Sequence, residues 1–316
     1  MMKKITVREI AKRTGVAPVT VYRALSGESC VSVDKRRKII RCAYKNGYNL
    51  PGNYCRNIAI LVPHFRFFGY LAHMLFELEK ELHRRDYRVQ IIPQRDIQAL
   101  GDHMFDGIIS LVWQESEVLS LPQEYPIPIV SVNAAFSDSE NIALVASSPH
   151  GMTLALNYLH EHGCRKIFFV GAKVDKNPIE AEKLAEFRTY CQSHGRNFET
   201  LHRSVAVTEI ESVVPSVINA GADAVFCASE TYAFLLGKQL LRRGIRIPED
   251  ISLMGMEEEE LNSAFDPPIT AIGQNFEKLA VEAVKMLEDE IERKLPGRNI
   301  RIPYTLIERS SVRTLS

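Results

Sequence analysis

The chain has 316 residues, 46% of them apolar and 25% charged, with 39 basic side chains balanced by 39 acidic ones. That composition excludes a disordered or fibrous protein and allows more than one domain with a real core. No apolar run approaches the roughly 18 to 20 residues needed to span a bilayer, and the opening Met-Met-Lys-Lys-Ile-Thr-Val-Arg lacks the apolar stretch of a secretory signal. A cytoplasmic protein without membrane attachment is expected. Six cysteines, Cys30, Cys42, Cys55, Cys164, Cys191 and Cys227, form no Cys-x-x-Cys pair and no Cys/His cluster. They read as buried or incidental thiols, with no metal or other cofactor expected.

The zero net charge hides a segregation. Residues 1–56 hold 13 Lys/Arg against 3 Asp/Glu (Glu9, Glu28, Asp34), a net +10, so the rest of the chain carries −10. A basic head on an acidic body can neutralise phosphates and release counterions, which gives DNA affinity independent of sequence. Charge alone also describes a solvated face, so the head needs a fold that presents it.

Thr6-Val-Arg-Glu9 has the spacing of a capping box, and a first helix follows from Val7 with Ile10, Ala11 and Thr14 inward. Gly15 ends it, Val16 seals the turn, and Pro18 suits the first turn of a second helix whose Val21, Ala24 and Leu25 return to the core. The other face carries Pro18, Val19, Tyr22 and Arg23. After Ser26-Gly-Glu28, Ser32 is placed to cap a third helix through Ile39, Ile40, Ala43 and Tyr44, closed by Asn46-Gly47. Three short helices with the second turned outward form a helix-turn-helix.

From Ile58 onward strands alternate with helices. Strands are expected at 58–63, 88–93, 106–112 and 128–132, the last closing a first lobe, with a helix over 69–85. The theme restarts with strands at 166–170, 222–227 and 251–255 and helices over 179–194 and 232–243. Such alternation implies parallel sheets with helices on both faces. Ligands of open α/β sheets sit outside the carboxyl ends of the strands.

Residues 5–48 resemble the head of the lactose-repressor (LacI/GalR) family. The family pattern T-x-x-x-I/V-A-x-x-A-G-V-S-x-x-T-V-S-R-x-L runs without gaps from Thr6 to Leu25, with Ala17 and Tyr22 in place of the usual serines. Later landmarks extend the resemblance: Gly151, Gly163-Cys-Arg-Lys-Ile, Ile247-Pro-Glu-Asp-Ile-Ser-Leu-Met-Gly, Pro267-Pro-Ile-Thr and Leu306-Ile-Glu-Arg-Ser-Ser. The resemblance implies a small all-α helix-turn-helix head at 1–48, a linker at 49–57, and a two-lobed α/β domain like a periplasmic binding protein at 58–316. Its first lobe would comprise about 58–146 and 275–303 and its second about 147–274 and 304–316, with crossovers near Val145, Gln274 and Tyr304. The family's hinge helix is hard to find in Asn49-Leu-Pro-Gly-Asn-Tyr-Cys-Arg-Asn57, where Pro51-Gly52 disfavours a helix.

Carried over by position, the resemblance implies base reading by Pro18, Val19 and Arg23 and phosphate contact at Thr20 and Tyr22. Thr6, Ala17 and Ser32, and Asn53 and Tyr54 in the linker, complete the expected DNA-facing set. For the effector, sugar-sensing relatives place carboxylates and amides at the strand ends. The corresponding positions here are Ser147-Ser148, Lys183, Ser229-Glu230, Glu257-Glu258 and Gln274, and His64, Phe65, Phe68 and Trp113 are candidates for an apolar wall. Lys183 and Glu257 read equally well as ligand contacts or as a solvated rim or ion pair. The four glutamates 257–260 read as a solvated loop.

The reading is therefore a transcriptional repressor that binds a near-palindromic double-stranded operator as a homodimer and responds to a small molecule, a carbohydrate or a derivative. Three rivals stand beside it. An extracytoplasmic solute receptor calls for a signal peptide and no basic head. An enzyme calls for a phosphate loop, a Gly-x-Ser-x-Gly or a His-Glu-x-x-His, none of which is present, so no enzyme is expected. A constitutive DNA binder without effector is separated from a sensor by a metabolite screen.

Overall fold

The computed structural model describes residues 5–26, 30–46, 48, 56–67, 69–102, 105–112, 127–134, 142–148, 150–174, 178–229, 231–292 and 298–314. Asn53, Tyr54, Phe68, Trp113 and Glu230, and most of the 49–57 linker, lie outside them.

The head consists of α1 (Val7–Thr14), α2 (Pro18–Leu25) and α3 (Val33–Lys45). The capping box forms as expected: the Glu9 backbone N–H donates to Thr6 Oγ1 at 3.3 Å and the Thr6 N–H donates to Glu9 Oε2 at 2.8 Å. Gly15 takes φ 71°, which lets its N–H reach the Ala11 carbonyl at 2.9 Å and turn the chain into α2. Pro18 occupies the first turn of α2, where its missing N–H costs nothing. At the far end of α3, Asn46 Nδ2 donates to the Cys42 carbonyl at 2.7 Å, and Asn46 Oδ1 accepts from Arg13, tying α3 back to α1.

The chain divides into two compact units, one of residues 1–66, 75–145 and 280–300, the other of residues 67–74, 146–279 and 301–316. The first holds a sheet of β1 (Asn57–Val62), β2 (Arg88–Pro93), β3 (Gly107–Ser110), β4 (Ile129–Val132) and β5 (Ala143–Ser147), joined by β11 (Asn299–Ile302) in the order β11-β5-β4-β3-β1-β2. The sheet does not close at Val132 as expected. Val130 registers with Ala143 in a further parallel pair, one strand beyond the last that the sequence suggested. Helices α4 (Tyr70–Arg84) and α5 (Ala99–Asp102) belong to this stretch of chain, and α11 (Phe276–Ile291) returns late to pack on β3. There, a Cβ on Gly107 would stand 2.8 Å from Leu287, so the close approach requires glycine.

A polar network closes one end of the first unit. Glu81, 6% exposed, accepts from Arg84 Nη2 and Arg85 Nε, each at 2.8 Å, and Arg85 also pairs with Glu288. Tyr87 Oη donates to Glu288 at 2.5 Å and accepts from Arg56 at 2.8 Å, and Arg56 reaches Glu292 at 3.2 Å. The residue that leads into β1 is thereby fastened to the end of α11.

The second unit repeats the theme with β6 (Ile167–Gly171), β7 (His202–Ser204), β8 (Ala224–Cys227), β9 (Ser252–Met256), β10 (Thr270–Gly273) and β12 (Thr305–Ile307), ordered β12-β10-β9-β8-β6-β7. From β7 to β10 the neighbours run parallel, and β12 joins β10 antiparallel. Its helices are α6 (Gly151–Glu161), α7 (Pro178–Ser193), α8 (Val214–Asn219), α9 (Tyr232–Arg242) and α10 (Glu259–Ala264). Phe168, Phe169, Phe187 and Phe226 are fully buried and make this core the larger in aromatic volume.

The paired arginines hold the Glu81 carboxyl below its ordinary value of 4.5, the Arg84 hydrogen bond first, against the opposing pull of burial. A depressed folded-state pKa means stability that is complete above the ordinary value and lost as pH falls through the folded-state value. Glu81→Gln should therefore cost about 1–3 kcal/mol at pH 7 in urea unfolding, and the gap to the parent should shrink as pH drops below 4.5. A gap that stays constant down to pH 3 contradicts the pairing.

Candidate nucleic-acid interface and ligand site

The head buries Ile10, Val21, Ala24, Leu25 and Ile39 almost completely, and this fixes the outward face of α2. With three inward positions at 21, 24 and 25, helical geometry sends 19, 22 and 23 away from the core. Val19 is 54% exposed and Tyr22 62%, values that have no structural reason in a folded three-helix module and suit a surface awaiting a partner. Ala17, Pro18 and Arg23 are exposed beside them and Thr20 is half-buried. Ala17 caps α2 without a side-chain hydrogen bond, so the first N–H groups of the helix have no hydroxyl covering them. Thr6 is also exposed and its hydroxyl serves the α1 cap, while Ser32, exposed before α3, accepts the Arg36 N–H at its carbonyl.

The effector candidates of the second unit gather at the carboxyl ends of neighbouring strands. The order in which strands are added to this sheet reverses between β6 and β8, the switch point at which open α/β sheets take ligands. Lys183 of α7 comes to that point: Nζ donates to Glu180 Oε1 and to the Ala228 carbonyl just beyond β8, both at 2.7 Å. Glu180 in turn accepts the Ala172 N–H just beyond β6 at 3.3 Å. Ser229 follows β8, Glu257 follows β9 and Gln274 follows β10. Ser147 Oγ lies 2.8 Å from Gln274 Oε1, both residues belonging to the second unit. In the first unit, His64 and Phe65 lie exposed just beyond the carboxyl end of β1.

The expectation that residues 257–260 form a solvated loop is corrected. Glu257 is half-buried and clamped by Arg309, whose Nη1 and Nη2 donate to its two oxygens at 2.9 and 2.5 Å. Asn262 Nδ2 adds a third bond to Glu257 at 3.1 Å. Glu258 pairs with His73 at 3.3 Å inside the second unit, and only Glu259 and Glu260 are exposed, at the start of α10. Burial without partners would cost several kcal/mol, so the glutamates that turn inward are the ones that found hydrogen-bonding partners. Among the described residues, His73, Glu258 and Glu260 place one potential metal-ligand atom each within 4.8 Å of one another. Arg309 and Glu180 are the functional-site residues that sequence reasoning missed. Glu180 was within reach, standing three residues before Lys183 on a helix; Arg309 stands 52 residues from its partner and no local spacing announces it.

A helix-turn-helix head on two parallel α/β sheets defines a DNA-binding regulator with a body like a periplasmic binding protein. The family described as "Periplasmic binding protein-like domain" matches residues 156–312. The HTH-type transcriptional repressor PurR of Vibrio atlanticus is 26% identical over 341 aligned positions, covering 98% of this chain and 99% of that protein. In fold, the chain is similar to the lac repressor dimer bound to operator and the anti-inducer ONPF, with TM-score 0.73 at 17% identity over 98% of this chain and 100% of that one. It is similar also to the transcriptional regulator CelR in its cellobiose complex, with TM-score 0.71 at 21% identity over 97% and 99%. Over nearly its whole length the chain is thus similar to transcriptional repressors of the LacI/GalR kind.

The Glu257–Arg309 clamp has a measurable signature. Arg309→Met leaves a half-buried carboxylate without its cation and should cost about 3 kcal/mol in urea unfolding, and Glu257→Gln in the same chain should recover most of that loss. Additive losses from the two substitutions would show that the pair does not interact.

Proposed function

We propose that the chain represses transcription by binding a near-palindromic operator as a homodimer in the cytoplasm, with operator affinity set by a small molecule at the strand ends of the second unit. The carrying observation is the outward face of α2, where Val19, Tyr22 and Arg23 stand exposed on a helix whose opposite side is fully buried. An α-helix so presented fits the major groove. Pro18 and Val19 offer apolar contact suited to thymine methyl groups, and Arg23 can donate a bidentate pair to guanine O6 and N7. Thr6, Ala17, Thr20, Tyr22 and Ser32 border this face and serve the phosphate backbone. Asn53 and Tyr54 would follow it into the linker.

A single head of this size buries only about 600–1,000 Å² on DNA, too little for tight specific binding, so two heads must act together. Exposed apolar side chains on the first unit supply a surface for a second copy: Phe76 on α4 is 65% exposed and Ile91 on the edge strand β2 is 40% exposed. The effector is a carbohydrate or a derivative, in keeping with the cellobiose complex of the related fold. Ser147, Lys183, Ser229, Glu257 and Gln274 of the second unit would face it. Because Lys183 and Glu257 already hold protein partners, their first duty is to fix Ala228 and Arg309, and contact with a ligand comes through the hydrogen-bonding capacity that remains.

The test is selection of bound duplexes from a random pool, repeated with candidate sugars. A two-fold symmetric site whose recovery changes with one sugar is expected, and an asymmetric site or none contradicts the reading. On the selected site, Arg23→Ala should weaken binding by about 1–3 kcal/mol per half-site and erase preference at one guanine, whereas Lys12→Ala should weaken all sequences alike. An unaltered preference profile in the Arg23 variant removes it from base reading. Phe76→Glu should shift the chain toward monomer in sedimentation at micromolar concentration; an unchanged dimer places the interface elsewhere.

A further inference from the structure

We propose that the second unit carries a second ligand site, for a tetrahedral oxyanion such as phosphate or a phosphate monoester, formed by His160, Arg165, His194 and Arg196 around Tyr190. The residues stand where α6 and α7 end. Both helices close in the same way, α6 through His162-Gly-Cys-Arg165 and α7 through His194-Gly-Arg196, with Gly163 at φ 80° and Gly195 at φ 61°. The reversal lets the Cys164 N–H reach the Leu159 carbonyl at 3.0 Å and the Arg196 N–H reach the Cys191 carbonyl at 2.8 Å. Each reversal delivers an arginine back beside its own helix end. Arg165 precedes β6, so the cluster lies at the amino ends of the strands, opposite to Lys183 and Ser229 in the same sheet.

Three rings share the site. The Tyr190 and His194 rings stack with centroids 4.2 Å apart, the His160 and His194 rings lie 4.9 Å apart, and His160 Nδ1 is 3.3 Å from Tyr190 Oη. His194 Nδ1 lies 2.9 Å from the Tyr190 carbonyl and 3.0 Å from Ser193 Oγ, so Nε2 is the ring nitrogen without a hydrogen bond to these groups. Arg165 spends Nη1 on the His160 carbonyl at 2.7 Å. Arg196 Nε is shut off from solvent and has no hydrogen-bond partner among the described residues.

The cations outnumber the acids that face them. Asp223 gives both oxygens to the backbone N–H groups of Arg165 and Lys166, each at 2.8 Å, and Glu161 is the acidic neighbour on α6. His162 turns to Tyr158 instead, its Nδ1 2.8 Å from that carbonyl. Cys191, beneath the cluster, is a buried thiol pushed up to about 11, and burial pushes Tyr190 up to about 12, so both stay neutral. Burial, then Arg165, His194 and Arg196, hold His160 below its ordinary value, because a proton there joins positive charges that already converge. An oxyanion removes that repulsion, so its binding should take up protons and tighten as pH falls.

Sulfate keeps its charge across the histidine range and is the probe for pH dependence. With the full chain, calorimetric titration should show sulfate and inorganic phosphate binding at equal ionic strength in chloride, with sulfate affinity rising as pH goes from 8 to 6. Arg196→Gln and His194→Asn should each weaken sulfate binding by about tenfold while leaving the Tm in chloride close to that of the parent. If a variant loses Tm in chloride, the other variant and the pH profile of the parent decide the question. Binding that both variants retain, affinity that does not change between pH 8 and 6, or acetate binding as tightly as sulfate overturns the assignment.

Discussion

Ten buried apolar side chains, Ile5, Ile10, Ala11, Val21, Ala24, Leu25, Val31, Ile39, Ile40 and Ala43, hold the three helices of the head together. A core that small is near the lower limit of what folds, so each of its members must face inward and each helix end must be capped. That constraint decides what α2 shows to the outside. Once Val21, Ala24 and Leu25 are committed to the core, Val19, Tyr22 and Arg23 have nowhere to go but out, which leaves apolar groups exposed on the face proposed to meet DNA. The reversal at Gly15 sets the angle at which α2 leaves α1, and with it the direction that this face takes.

The second unit solves a different problem. A regulator that senses a polar molecule needs polar groups at the strand ends, and these must survive without the ligand. Here the charges are satisfied in advance: Lys183 by Glu180 and the Ala228 carbonyl, Glu257 by Arg309 and Asn262. Such prior pairing rigidifies the strand ends and leaves fewer groups to order when a ligand arrives. The cluster at the opposite strand ends is built the other way, with cations that the protein leaves short of acids.

How much was legible in the sequence depended on the range of the signal. The head could be read almost residue by residue because its determinants are local: a Thr and a Glu three apart, a Gly at a helix end, a Pro at a helix start. Strands β1, β2, β6 and β9 showed as short apolar runs bounded by turn residues. β5, β10 and β12 did not, because their place in a sheet is decided by partners along the chain rather than by a local pattern. The long α11 likewise owes its position to Gly107, which makes room for Leu287. Ion pairing was the least legible feature. Glu257 looked like one of four equivalent glutamates, and only the fold distinguishes it, by bringing Arg309, just beyond β12, against it.

The account rests on the basic head making several phosphate contacts in each half of a two-fold complex, and salt dependence measures this most directly. Fluorescence anisotropy of the full chain on its selected duplex, between about 50 and 300 mM KCl, should give a logarithm of affinity falling linearly with the logarithm of salt, with a slope of about −5 or steeper. A slope near zero would contradict it, since residues 1–56, with a net +10, would then gain nothing from counterion release.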